Sequence, residues 1–508
     1  MSHISQKILQ SFDLKANAPA VSDGYSFMAG STSETVCTSP LDGAELTRFK
    51  MASEKQANEI TQKAQTAFET WKHVPAKKRA ALLQTIAQEL TAAKDGLAEL
   101  MTYEMGKPLW EAKAEVQNCI DTAHYAATLW PNLGGQNYPS GRDNVELYDK
   151  YHPLGPVLVI TAFNFPYALW AWNAFVALAC GNSVVWKPAP QTPLCAMAMM
   201  RVMHKALKQH DEAPEGLLCH VIGDNDNVAI PLVNHTAYPL VSATGSTKMG
   251  MAVSKAVGAR LGRTILELGG NAAGVFTPSA DIDQALRIAY FSATLNSGQR
   301  CTALRRLLVH ESIAEDVINR LKAAYSSWPV GDVMRDGHRL SSLVDDTAAE
   351  LFNKDIDTLE KDGVKLFRPN IKLPEGKAWV HPYMAILDKD APQPAEETFG
   401  PLLYVQPYST FDEALEKTNA VNYGLSNGIF SNDLKEIQAF LNTAESGCAM
   451  VNDNTGGPEV MLAFGGVKNS GLGSEKGGDS WKQYMRRQSV MLNHQKVVMG
   501  DLGINFGE

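Results

Sequence analysis

Val157-Leu158-Val159-Ile160 is apolar at four consecutive positions, with Gly155-Pro156 before it and Thr161 after it. A run this short and uninterrupted marks a strand buried on both faces, as in a parallel sheet. Parallel neighbours need crossovers long enough to hold a helix, and the following segments supply them. Asn164-Phe165-Pro166 reads as a helix start, with proline near the first turn, and the helix runs through Trp172 to Cys180 and stops at Gly181. Further strands are expected at Ser183–Lys187, Leu218–Ile222 and Leu240–Ala243, and a second series at Ala273–Thr277, Arg306–His310, Leu402–Val405 and Ala449–Asn452. Such alternation predicts α/β architecture with two doubly wound domains. Upstream, Glu54–Lys72, Pro75–Glu104 and Lys107–Trp130 carry apolar residues at helical spacing. Between the turn signals around Gly134-Gly135 and Pro153 lies the alternating piece Asn144–Tyr148. A strand so isolated needs a partner edge, either as a subunit-contact arm or as a surface hairpin. There is no internal repeat.

Chemistry enters at two places. Cys301 follows Asn296-Ser297-Gly298-Gln299-Arg300, and Glu267 lies in Leu266-Glu267-Leu268-Gly269-Gly270. A thiol offers a nucleophile and a carboxylate a base, the ingredients of covalent catalysis. Glycines beside each let backbone approach a ligand closely. The fingerprint GxGxxG is absent. Instead the strand ending at Ala243 leads into Gly245-Ser246-Thr247-Lys248-Met249-Gly250, whose helix N-terminus can hold an anion such as a pyrophosphate. The plain alternative is an ordinary capped helix.

Several strings resemble the aldehyde dehydrogenase superfamily, in the same order: Thr161-Ala162-Phe163-Asn164-Phe165-Pro166, Trp186-Lys187-Pro188-Ala189, Gly245-Ser246-Thr247, the Glu267 and Cys301 segments, Glu396-Glu397-Thr398-Phe399-Gly400-Pro401 and Ala463–Gly471. The resemblance implies an NAD-binding domain over 1–131 and 152–266, a catalytic domain over 267–478, and a small β oligomerisation element over 132–151 and 479–508. It also implies that Cys301 attacks an aldehyde, that Asn164 and the Cys301 N–H hold the oxyanion, and that Glu267 activates water for thioester hydrolysis to a carboxylic acid. Thr161, Ala162, Phe163, Lys187, Gly245, Ser246, Thr247, Gly250, Leu268, Glu397 and Phe399 would line the cofactor site. NAD is the first expectation; Pro190, where many NAD-preferring relatives have Glu, leaves NADP open. A homodimer or homotetramer is implied, with Ser489–Val498 as a second pairing arm.

Thr302-Ala303-Leu304-Arg305-Arg306 and Gly478–Arg487 resemble the antiquitin branch, the α-aminoadipic semialdehyde dehydrogenases. In that branch an Arg before the nucleophile recognises substrate, and Arg300 matches it. Trp172 and Phe464 match aromatic walls, and Gly457 the loop that takes the substrate carboxylate. Two departures stand out. The branch reads Glu-Val-Gln-Glu where this chain has Glu115-Val116-Gln117-Asn118, so Asn118 replaces a carboxylate that would meet an ammonium. The loop reads Gly457-Pro458-Glu459-Val460-Met461-Leu462; Pro458 removes an N–H, and Met461-Leu462 add apolar bulk. Both favour a substrate without an α-amino group, such as an aliphatic, aromatic or simple acid semialdehyde. A catalytically idle relative is the rival of another class; the retained Cys301, Glu267 and Asn164 argue against it.

The net charge of −9 over 508 residues argues against a nucleic-acid partner. No apolar run reaches membrane-spanning length, and Met1–Phe12 has no secretory core. Seven scattered cysteines without CxxC spacing point to reduced thiols in a cytoplasm and to no metal site.

Overall fold

The computed structural model describes residues 3–14, 18–335, 337–457 and 459–494. An eight-stranded sheet runs in the order Phe27–Met28, Val21–Ser22, Leu218–Val221, Val184–Lys187, Val157–Ile160, Leu240–Thr244, Arg263–Glu267, Gly471–Leu472. Its five central strands are parallel, and both flanks are closed by antiparallel strands. Val157–Ile160 is buried at every position. A valine or leucine so buried contributes about 1.5–3 kcal/mol relative to one left exposed. The chain winds outward from Val157–Ile160 first to one side and then, from Leu240, to the other. That reversal opens a crevice at the carboxyl ends of the strands.

The second sheet has seven strands in the order Lys365–Phe367, Tyr383–Ile386, Leu402–Tyr408, Leu304–His310, Ala272–Phe276, Ser426–Phe430, Cys448–Val451. All its pairings are parallel except that of Lys365–Phe367. The two doubly wound α/β units expected from the alternation are thus present. Neither the two-residue strands Val21–Ser22, Phe27–Met28 and Gly471–Leu472 nor the longer Arg263–Glu267, Lys365–Phe367, Tyr383–Ile386 and Ser426–Phe430 were anticipated. Two-residue strands leave too little pattern to read.

The helix expected from Asn164 begins instead at Ala168 and ends at Ala179, every residue buried. The reason is a carboxylate from elsewhere. Oε1 of Glu115 accepts hydrogen bonds from the Tyr167 N–H (2.9 Å) and the Ala168 N–H (3.1 Å), satisfying the helix start. Asn164 lies before it and does not cap it. Likewise the segment expected from Lys107 is helical only over Leu109–Ala127, after Pro108. Glu111, Glu115 and Asn118 fall at i, i+4 and i+7 on this helix, so they share one face.

Val145–Pro153 pairs along its whole length with Met485–Asn493, and Asn137–Tyr138 pairs on its other edge. The isolated strand therefore finds its partner in the C-terminal segment, and this exceeds a local hairpin. The part of the expected second arm beyond residue 494 lies outside the described residues. Among the described residues no helix is long and apolar enough to cross a membrane.

Candidate active site

The thiol is delivered by an unusual stretch of backbone. Asn296 (φ 50), Ser297 (φ 49) and Gly298 (φ 73) are consecutively left-handed. Non-glycine residues there cost free energy and persist only when surroundings impose them. Here they do. Glu111 accepts from the Asn296 N–H (3.0 Å). Ser297 Oγ donates to the Ser341 carbonyl and accepts from the Ser341 N–H, both at 2.9 Å. The Arg305 guanidinium grips the carbonyls of Gly298 and Gly400, and Gln299 Oε1 accepts from the Val344 N–H (2.9 Å). A Cβ on Gly298 would lie 2.2 Å from the Gly400 carbonyl oxygen, and one on Gly270 only 2.0 Å from that of Cys301. Both glycines are therefore required by close approach.

Glu267 ends its strand with a carboxyl only 1% exposed, whose sole hydrogen-bonding neighbour among the described residues is the Gly466 backbone, too poorly placed to offset burial. Burial, with Glu475 beside it, raises its pKa well above the carboxylate range. Glu475 accepts from Asn173 Nδ2 and Thr244 Oγ1, both at 2.9 Å, and burial pushes it up to about 7. The Cys301 thiol is also held up, by burial first and then by Glu267 and Glu397; Arg300 opposes this. Asn164 spends one amide N–H on the Gln299 carbonyl (3.1 Å), while its oxygen, buried, has no partner among the described residues. Asn164, distant in sequence, is thus bonded two residues before the thiol, and Glu267 is near enough to Cys301 to raise it.

Cys301 opens onto a cavity of about 280 Å³ that is also lined by Asn118, Trp172, Arg300, Gly457 and Phe464. All five residues expected at the substrate therefore converge. Asn118 Oδ1 accepts from the Trp172 Nε1–H (2.6 Å), and the Trp172 and Phe464 rings stand 5.1 Å apart. Arg300 donates to the Gly456 carbonyl (3.2 Å); its buried Nε has no hydrogen-bond partner among the described residues. Met461 and Leu462 do not follow expectation. They are 62% and 60% exposed and do not line the cavity, so their bulk turns to the surface. Pro458 lies outside the described residues. Sequence reasoning missed Lys107, Glu111, Phe165 and Lys476 on the cavity wall. Lys107 and Glu115 form a fully buried ion pair, and Lys107 also donates to the Asn164 carbonyl (2.7 Å). The helical spacing of Glu111, Glu115 and Asn118 was the available signal.

At the crevice of the first sheet lies a groove of about 700 Å³ lined by Thr161, Ala162, Phe163, Lys187, Gly245 and Ser246, with Pro190 also on its wall. Ser246 caps the helix Thr247–Ala259, its Oγ accepting from the Met249 N–H (3.2 Å). Ile230, Val233, Met249 and Val253 give the groove an apolar end suited to a flat aromatic ring. Thr247, Gly250, Leu268, Glu397 and Phe399 are not among its lining residues. Leu268 packs on Gly250, where a Cβ would meet it at 2.4 Å. Glu397, pushed up to about 7 by burial, has its Oε1 paired with Arg305 at 3.9 Å, and among the described residues that oxygen accepts no hydrogen bond. Phe399 meets Phe163 edge-on at 5.9 Å. Burial lowers the Lys187 ammonium to about 8. In the groove a capped helix start, a lysine and an apolar slot form a set that a dinucleotide's phosphate, ribose and base would satisfy.

Fold and site together define an aldehyde dehydrogenase. The chain belongs to the aldehyde dehydrogenase family, whose model matches residues 27–490. Among its relatives are alpha-aminoadipic semialdehyde dehydrogenase of Rattus norvegicus, 36% identical over 98% of this chain and 92% of that protein. Aldehyde dehydrogenase family 7 member A1 of Pisum sativum is 39% identical over 87% of each chain. In three dimensions the chain is similar to 3,6-anhydro-L-galactose dehydrogenase in complex with NAP, with a TM-score of 0.87, 28% identity, and coverage of 94% of this chain and 100% of that one.

Proposed function

We propose that this enzyme oxidises a semialdehyde to a carboxylic acid with NAD as cofactor, NADP being the alternative. The observation that carries this reading is that Cys301 lines the substrate-sized cavity while its thiol feels the carboxyls of Glu267 and Glu397. Cys301, as thiolate, attacks the aldehyde carbon. The Asn164 amide and the Cys301 N–H hold the oxygen as it gains charge. When bound, the nicotinamide supplies the hydride acceptor that takes two electrons from the substrate. An acyl thioester is left on Cys301. Glu267 then takes a proton from water as the water oxygen attacks the acyl carbon. The Cys301 sulfur leaves, and the carboxylic acid departs.

Lys187 and Glu397 would hold the two riboses, Ser246 the pyrophosphate, and Phe399 would pack beside the nicotinamide; Thr161, Ala162, Phe163 and Gly245 would flank it. Thr247, Gly250 and Leu268 would shape that wall by packing. The domain assignment of 1–131 with 152–266, 267–478, and 132–151 with 479–508 is part of the same proposal. So is self-association through the exposed strand Met485–Asn493, where Met491 is 63% exposed. Seven free thiols suit a reducing compartment such as the cytoplasm.

The test is steady-state formation of reduced cofactor with α-aminoadipic semialdehyde and with glutaric semialdehyde, the same chain lacking the amino group, each with NAD and NADP. Turnover of either supports the reading; turnover of neither, nor of a wider aldehyde panel, sinks it. Asn118→Glu should shift kcat/KM toward the aminated substrate by about tenfold, because a carboxylate would then face its ammonium. An unchanged ratio would show that position 118 does not read the amino group.

A further inference from the structure

Lys476 is tied to the substrate cavity by backbone as well as side chain. The Phe464 N–H donates to the Lys476 carbonyl (3.1 Å) and the Glu475 N–H to that of Phe464 (3.0 Å), an isolated antiparallel bridge. Phe464 and Lys476 are therefore positioned as one unit. Lys476 is 1% exposed and lines the cavity. Its ammonium stands 5.2 Å from the Trp172 ring and 5.7 Å from the Phe464 ring, and donates to the Glu459 carbonyl (3.3 Å).

The charges on the cavity wall are unequal: Lys107, Arg300 and Lys476 against Glu111 and Glu115. Glu115 is engaged by Lys107 and by the N–H groups of Tyr167 and Ala168. Glu111 accepts from the Asn296 N–H and faces Arg300. Glu475, next to Lys476 in the chain, gives one carboxyl oxygen to Asn173 and Thr244. Asn118 has its oxygen committed to Trp172, so its amide offers hydrogens rather than an acceptor. An arriving ammonium would meet an excess of positive charge. An arriving carboxylate would meet Lys476, the Nε–H of Arg300, which no described residue engages, and aromatic walls for the carbon chain between.

We propose that Lys476 is a specificity residue that, with Arg300, holds a carboxylate at the far end of the substrate, which is an ω-oxo acid without an α-amino group. This rests on the aldehyde-oxidation reading above.

The test compares glutaric semialdehyde with pentanal, a saturated aldehyde of the same length without the charge, in the wild type, Lys476→Met and Lys476→Arg. The wild type should favour the acid by about tenfold or more in kcat/KM. Lys476→Met should lose about 30-fold on the acid, mainly through KM, and leave pentanal within about twofold. Lys476→Arg should recover part of the loss. Equal losses on both aldehydes, or a wild type that turns pentanal over as well as the acid, would overturn the proposal. If Lys476→Met does not fold, Lys476→Gln, which keeps a polar head but not the charge, is read in the same way. Turnover of pentanal but not of the acid removes only this proposal; turnover of no aldehyde at all removes the parent reading with it.

Discussion

Cys301→Ala is expected to lower aldehyde oxidation by at least about 10⁴-fold, the scale on which loss of a covalent nucleophile is felt. No other thiol can substitute. The six remaining cysteines are buried, and none lines the cavity. Cys301 is only partly buried, so its truncation removes one sulfur without opening a large hole, and the variant should melt close to the wild type. The assay is formation of reduced cofactor, run beside ester hydrolysis without cofactor. Both activities should vanish together, because the same sulfur would carry them. Retention of more than about a hundredth of the wild-type rate would remove Cys301 from the role of nucleophile.

Glu267→Gln should slow turnover by about 10²–10⁴-fold, the usual range for loss of a general base. Its signature is more specific than its size. The first turnover should still yield a burst of reduced cofactor, followed by a stalled acyl-enzyme that mass spectrometry can weigh. Slow turnover with no burst and no adduct would assign Glu267 to acylation instead. A stability effect should accompany the kinetic one. The raised Glu267 pKa means that the folded chain keeps a proton that the unfolded chain releases. Such a group's contribution is fully present below the ordinary carboxylate range near about 4.3 and is lost as pH rises through the raised value. The glutamine side chain has no such titration. The melting temperature of the variant should therefore overtake that of the wild type increasingly as pH climbs. A constant difference across pH would contradict a carboxyl whose pKa burial has raised.

Much of this was legible before any coordinates. The strand Val157–Ile160 is read from four apolar residues because burial on both faces leaves no room for polar ones. Cys301 and Glu267 came from short strings flanked by glycine, while Arg300, Trp172 and Phe464 came only through the family resemblance that neighbouring strings carry. Lys476 did not, since a lone lysine carries no local sign that it will be buried among aromatic rings. The start of helix Ala168–Ala179 was misread for the same kind of reason. Its cap is Glu115, on a helix distant in the chain, and Pro166 gave a local cue that this long-range contact overrode. Met461 and Leu462 illustrate the converse: a composition change within a loop does not say which way the side chains turn.

The two-residue strand Gly471–Leu472 is small, yet it ties the halves of the molecule together mechanically. The chain leaves the first sheet after Glu267, builds the whole second sheet, and returns to lie antiparallel against Leu266 and Glu267. The Leu268 N–H donates back to the Ser470 carbonyl (2.9 Å), so the return is pinned at the residue after the base. A chain cut in the linker between the sheets would leave the first half with a bare sheet edge, the kind of surface that recruits other strands. The second half would carry away the clasp. The sheets are accordingly not interchangeable cassettes. A recombinant chimera that joins this first sheet to a relative's second sheet inherits a foreign clasp against its own catalytic strand, and the crossover point least disruptive to function lies beyond Leu472 rather than at the visually obvious linker.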